Sequence, residues 1–383
     1  MTPAPLPRLR RVPPAPLLSL QILRAAAALL VLAHHAGYDA DTIASRTGLR
    51  PLDLDRIFDW AFGIHLFFVV SGYIMVRTTS GFGSARGAMA FMARRIVRVV
   101  PLYWLMTSLL LVGAMLAPGL LNTPLGGPVF VFASYLFFPV TGTGDEWHPV
   151  LGQGWTLDYE MFFYVLFAIA MLLPRRSGLA ALAGTLAGLV LFGAVWHPAI
   201  APLGVWTDGL LLEFLFGIAI GLAQEAGLRS AWWTSALALV AGAMAAVSLG
   251  PLFPAGDGLA PWIRGGLPAA IMVGACVLGP PWRRRPLALA LATIGDASYS
   301  LYLSHPFVVR GLRDVWLASV PGSAPLSAYV ALASLGAVLS AVLLYRCVER
   351  PMTLRLQRMT RLADIAGRPI LPDAAAVSPK HGD

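Results

Sequence analysis

LQILRAAAALLVLAHHAG, residues 20–37, is an apolar run long enough to cross a bilayer, broken by Arg24 and by the pair His34–His35. A charged side chain in hydrocarbon costs about 2.5–3.5 kcal/mol on insertion scales, so such residues usually mark function. Arg24 and His35 are eleven residues apart, about three helical turns, and share one face of a helix. His34 points about 80° away from that face. The rise between Arg24 and His35 is about 16 Å, which sets the arginine near one membrane surface and His35 past the middle. One polar residue in a span equally serves as a topology-setting cation or as an interior histidine bonded to the next helix. Two on one face favour a functional path.

The rest of the chain reads the same way. It has 383 residues, 57% of them hydrophobic and only 12% charged, and a mean hydropathy of +0.72. A soluble globular domain of this length is excluded, and a polytopic helical membrane protein is indicated. The net charge of +9 comes from arginines between apolar segments. Membrane orientation explains it, so no nucleic-acid partner is expected. Cys276 and Cys347 both fall in apolar segments, so neither a disulfide framework nor a cysteine metal site is expected.

Ten apolar spans are expected, near 20–37, 60–78, 101–121, 154–173, 178–196, 209–224, 231–250, 263–281, 287–308 and 326–347. The piece 129–140 (VFVFASYLFFPV) is too short to span and is expected to be re-entrant. With the basic N-terminus inside, beside Arg8, Arg10 and Arg11, this count leaves most arginine clusters on the inner side. Both termini are then cytoplasmic. The fold class is all-α and polytopic: about ten transmembrane helices plus one short re-entrant segment. Residues 1–19 form a basic, Pro-rich N-terminus, 20–352 the membrane domain, and 353–383 a partly disordered cytoplasmic tail.

Four further constellations carry chemistry. In FMARRIVRVVPLYW (91–104), Arg95 and Arg98 stand at i and i+3 and project together. Pro101 suits the first turn of the next helix. The arginines are either a positive flank or a clamp for phosphates, which guanidinium forks match. In GWTLDYEMFFYVLF (154–167), Asp158 and Glu160 lie about 200° apart, so only one can face a given pore. Glu160 lies deeper and is the expected partner of a histidine or arginine. In GDASYSLYLSHPFVVR (295–310), Ser298, Tyr302 and His305 share a face in what reads as the outer half of a span. They either line a pore or act as interhelical hydrogen-bond glue. In GIHLFFVVSGYIMVR (63–77), Ser71–Gly72 permits close helix approach, and His65 reads as interfacial. Glu213 finds no partner by spacing. There is no Walker, GxSxG, HExxH or dinucleotide-loop motif, and histidine spacing does not fit a metal site.

Taken in order, LRAAAALLVLAHH, IHLFFVVSGYIM, RRIVRVVPLYW, GWTLDYEMFFY, LEFLFGIAIG, DASYSLYLSHPF and VERPM resemble the membrane acyltransferase-3 family of glycan O-acyltransferases. They cover residues 20–352. The GWTLDYE and LEFLFG segments are similar to its exopolysaccharide-modifying branch. The resemblance puts the family's first-span arginine and histidine on Arg24 and His35, its RxxR pair on Arg95 and Arg98, its acid on Glu160, and its SYSLYLxH signature on 298–305. Histidine at 65 and threonine at 156 depart from the common pattern.

What this implies is an acyltransferase of the bacterial inner membrane with His35, Glu160 and Arg24 as catalytic residues. Arg95 and Arg98 would bind acyl-CoA, acetyl-CoA above all, as donor substrate, and Ser298, Tyr302, His305 and Asp158 would line the path. No bound cofactor and no metal are expected. The partners are the lipid bilayer, the acyl-CoA and a glycan acceptor. From the residues alone, His35 is a general base or a transient acyl acceptor. A transporter or acyl-group channel using the same polar path is the alternative, but the chain lacks the repeated halves many transporters show.

Overall fold

The computed structural model describes residues 18–116, 126–141, 147–252, 261–320 and 324–359. The N-terminal Arg8, Arg10 and Arg11 and the tail from 360 lie outside the described residues. All regular structure among the described residues is helical. Seven helical stretches are long and apolar enough to cross a membrane: Leu18–Thr47, Trp60–Thr78, Ala85–Leu116, Arg175–Trp196, Ala201–Glu225, Trp232–Leu249 and Leu326–Met359. Many carry apolar side chains facing outward. Leu332, Leu335, Leu339 and Leu343, at i, i+3, i+7 and i+11, are all exposed. Such a stripe is stable against hydrocarbon and unfavourable in water.

The chain opens with α1 (Leu18–Thr47), α2 (Gly63–Thr78) and α3 (Ala85–Leu116). The short α4 (Pro128–Tyr135) precedes α5 (Trp155–Ala170) and α6 (Arg175–Trp196). Next come α7 (Ala201–Trp206), α8 (Leu211–Glu225) and α9 (Trp232–Leu252). A π-helical turn, Trp262–Gly266, leads into α10 (Leu267–Leu278). The last helices are α11 (Pro286–Asp296), α12 (Ser298–Ser319), α13 (Leu326–Leu344) and α14 (Arg350–Met359). A second π-turn, Tyr345–Glu349, joins the last two.

Two expectations change, and two segments gain detail. Pro101 lies inside α3 rather than at a helix start, so the arginines 94, 95 and 98 sit on the same 32-residue helix. Membrane helices tolerate an interior proline where neighbours re-satisfy the freed carbonyl. The expected span 287–308 is broken at Ala297, between α11 and α12. There the backbone of Gly295 lies against that of Gln21, too close for any Cβ. Helix α12 therefore begins at Ser298 and runs on to Ser319, which moves Ser298 from the expected outer half to the start of the helix. The expected 129–140 segment holds the eight-residue α4, fastened to α3 through Tyr103 Oη to the Ser134 carbonyl (3.0 Å) and Trp104 Nε1 to that of Tyr135 (2.8 Å). Of the expected tail 353–383, residues 353–359 are helical as the end of α14, and the rest lies outside the described residues.

Contacts between helix ends define two faces. At the entry face, where α1 begins, Ser19 Oγ donates to the Cys276 carbonyl (2.9 Å). There Gly83 N reaches the Met171 carbonyl (2.8 Å), and Arg77 and Arg175 both bind Glu225 (3.2 and 2.7 Å). At the far face Arg313 of α12 pairs with Asp39 of α1 at 3.0 Å. Helices α1 and α12 thus run in the same direction. So do α2 and α8, whose axes approach closely because Gly72 lies against the Phe214 carbonyl and Gly217 against that of Val69. Small residues at such a crossing are the usual means of helix association in lipid.

Candidate active site

The two parallel helices α1 and α12 hold a column of polar side chains from one face towards the other. At the entry-face end, Arg24 donates to Ser298 Oγ (2.8 Å) and to Gln21 Oε1 (3.2 Å). Towards the far face, the His35 ring lies 4.8 Å from that of His305. Both members of the first-span pair therefore address α12, as their shared face requires. His34 points elsewhere and meets Asp55 in the 48–62 segment at 3.1 Å.

His305 is buried, and its Nδ1 lies 3.0 Å from the Leu301 carbonyl. A carbonyl only accepts, so Nδ1 carries the hydrogen. Nε2 of the neutral ring is then the acceptor, and it is buried without a partner. Tyr302, one turn earlier, donates to the Gln153 carbonyl (2.8 Å) and lies 2.8 Å from the Thr156 hydroxyl. That contact docks the start of α5 beside the histidines. On α12 beyond them stands Arg310, half-buried and within electrostatic reach of His35, His305 and Asp39.

The arginines of the RxxR pair serve different neighbours. Arg98 pairs with Glu349 and lies over the Tyr299 ring at 5.8 Å. Glu349 is fully buried and also accepts from Ser300 Oγ at 2.6 Å. Arg95 instead lies over Phe91 and Tyr164, at 5.5 and 5.8 Å, and its buried Nε has no partner. Glu160 accepts from Ser71 Oγ (2.8 Å) and from Tyr164 Oη (2.5 Å). Its hydrogen-bond partners are these hydroxyls, not the histidine or arginine expected from sequence. Asp158, on the other side of α5, is buried with Oδ1 unpartnered. The two acids diverge, as their spacing requires.

Two features escaped the sequence reading. Glu349 holds Arg98 and Ser300 together across three helices; its signal was an acid at the end of an apolar run, in VERPM. The second is His65, read as interfacial. Its Nδ1 lies 2.6 Å from Glu213 Oε1, and Glu213 is fully buried. Glu213 thus has the partner that spacing could not supply. Gly265 and Gly266 of the π-turn pack so closely on His65 and Glu213 that a Cβ at either would collide. His65→Ala strands a buried carboxyl group, which is expected to lower stability by about 1–3 kcal/mol. His65→Ala combined with Glu213→Leu should recover much of that loss. Thermal unfolding in detergent measures both, and an unchanged midpoint for His65→Ala would contradict the account.

A family described as an acyltransferase domain, acyltransferase-3, matches residues 17–346. The chain is 34% identical over 312 residues to a protein of Rhizobium meliloti (strain 1021) named exopolysaccharide production protein ExoZ. The match covers 80% of this chain and 94% of the relative. No solved structure matches. The match over nearly the whole helical region, on a bundle with charged and histidine side chains running through it, makes the chain a member of the acyltransferase-3 family.

Proposed function

We propose that the chain transfers an acyl group, acetyl in the first instance, from cytoplasmic acyl-CoA to a hydroxyl of an exopolysaccharide or its lipid-linked precursor. The observation that carries this reading is the polar column between α1 and α12, Arg24–Ser298 at one end and His35–His305 towards the other. An enzyme joining a donor on one side to an acceptor on the other needs such a column. The relative named for exopolysaccharide production supports the acceptor class. The entry face carries Arg175 and Arg176 at the start of α6 and Arg229, Arg283, Arg284 and Arg285 in its loops, whereas the segment beyond α1 sets Asp53, Asp55 and Asp59 against Arg50 and Arg56. By the positive-inside rule the entry face is cytoplasmic, in a bacterial inner membrane, with both termini on that side.

In this reading the donor enters at the entry face. Arg95, whose guanidinium has unfilled hydrogen-bonding capacity, takes a CoA phosphate, and Arg98, held by Glu349, shapes the same mouth. The thioester passes Arg24, and about 16 Å of helix separates that residue from His35, a length the extended pantetheine arm can cover. The sugar hydroxyl enters from the far face. His35 takes the hydroxyl proton as the oxygen bonds to the thioester carbonyl carbon. The C–S bond breaks, and the proton passes to the departing CoA sulfur. His305, with its free Nε2, is placed to bind either the hydroxyl or the His35 ring. Exclusion of bulk water by the bundle limits wasteful hydrolysis.

The test is chemical. Surface glycan from cells lacking the chain should lose O-acyl proton signals and the matching mass, and purified protein with labelled acetyl-CoA should restore them. Identical glycans from the two strains would sink the reading.

A further inference from the structure

At the far-face end of α5 lies a cavity of about 200 Å³, lined by Trp147, His148, Trp155, Asp158, Tyr159 and Val205. Three aromatic rings wall it. Trp155 and Tyr159 meet edge to face at 5.8 Å, and Gly204 of α7 is packed so closely on the Trp147 ring that no side chain would fit there. Asp158 is only 3% exposed, and its Oδ1 has no hydrogen-bond partner. A buried polar atom left unpaired in a native structure demands an explanation. Here its own side chain lines the cavity, so a ligand there would stand next to the unpaired carboxyl group.

From this geometry we infer that the cavity is a subsite for one sugar ring of the acceptor glycan. A pyranose presents apolar C–H faces and hydroxyl donors together. Flat aromatic walls suit the first, and a carboxyl oxygen suits the second. A lipid tail would leave the carboxyl group unsatisfied in an apolar surround, which is costly. A CoA nucleotide is too large for the space and would bring phosphates towards a carboxylate. The location fits the class as well. The cavity-lining Trp155, Asp158 and Tyr159 flank Thr156 on the same two turns, and Thr156 contacts Tyr302, whose ring is 6.3 Å from that of His305. Thr156 stands about 100° round the helix from Trp155. The cavity therefore sits beside the histidine pair and not in it. It suits a sugar neighbouring the one that is acylated, and so reads the glycan chain rather than the reacting hydroxyl. The inference rests on the reading of the far face as the acceptor side.

The experiment uses the full chain in lipid nanodiscs, with acetyl-CoA as donor and unacylated oligosaccharides from the exopolysaccharide of a deletion strain as acceptor. Asp158→Asn, which preserves shape, and Trp155→Leu are each expected to raise the acceptor KM about tenfold while leaving the KM for acetyl-CoA unchanged. Oligosaccharide binding, followed by tryptophan fluorescence without donor, should saturate for the wild type and weaken by the same factor in Asp158→Asn. Thermal unfolding confirms that the variants are folded. An unchanged acceptor KM in a folded Asp158→Asn, or a parallel rise in the KM for acetyl-CoA, overturns the subsite. If the wild type transfers no acyl group, the proposed function fails instead, while the fluorescence titration still decides whether the cavity takes sugar.

Discussion

Acyl transfer should fall by about a hundred- to ten-thousand-fold when His35 is replaced by alanine, the loss typical of removing a general base. The protein should remain in the membrane with an unchanged unfolding temperature. His35 is only partly buried, and its closest ring partner, His305 at 4.8 Å, keeps its own backbone hydrogen bond within α12. His34→Ala is the matched control. That ring meets Asp55 in the segment beyond α1 and should be dispensable for chemistry. Proton NMR of the isolated glycan measures both variants. Full O-acylation with His35→Ala, or equal losses in the two variants, would remove His35 from the mechanism.

The second large effect is on stability. Glu349 is fully buried and holds the Arg98 guanidinium and the Ser300 hydroxyl. Glu349→Ala leaves Arg98 without its counter-charge inside the bundle, and breaking a buried pair from one side costs about 3–5 kcal/mol. Reduced membrane abundance and a lower unfolding midpoint in detergent are expected. Replacing both partners, Arg98→Met with Glu349→Met, should recover most of the stability, because two apolar groups need no compensation. Acyl transfer should stay impaired in the double variant, since Arg98 is assigned to the donor mouth. A double variant as unstable as Glu349→Ala would show that the pair is not the source of the effect. A stable and fully active one would remove Arg98 from donor binding.

Much of the geometry around the candidate site was legible before the tertiary structure. Helical phase separated His35 from His34, and the two do take different neighbours. The same arithmetic set Asp158 and Glu160 on different sides of α5, one facing a cavity and the other Ser71. Ser71–Gly72 marked a close approach, and Gly72 meets the backbone of α8. Other readings failed for identifiable reasons. Hydropathy alone joined 287–308 into one span, because Leu and Ala in α11 continue the apolar composition across the break at Ala297. Pro101 resembled a helix start because proline favours the first turn. Nothing in the local sequence shows that neighbouring helices will carry it through the middle of α3.

What the sequence determined by itself is an all-helical membrane chain of the acyltransferase-3 family, with charged and histidine side chains on definite helical faces. Periodicity and hydrophobicity act over a few residues and are written in the chain directly. The partners on those faces were decided by tertiary structure alone. Arg24 and Ser298 are 274 residues apart, Arg98 and Glu349 251, and His65 and Glu213 148. A helix's phase states which way a side chain points, but not which helix packs there. That choice comes from close backbone contacts at glycines such as Gly72, Gly217 and Gly295, and from the cost of leaving a buried charge unpaired.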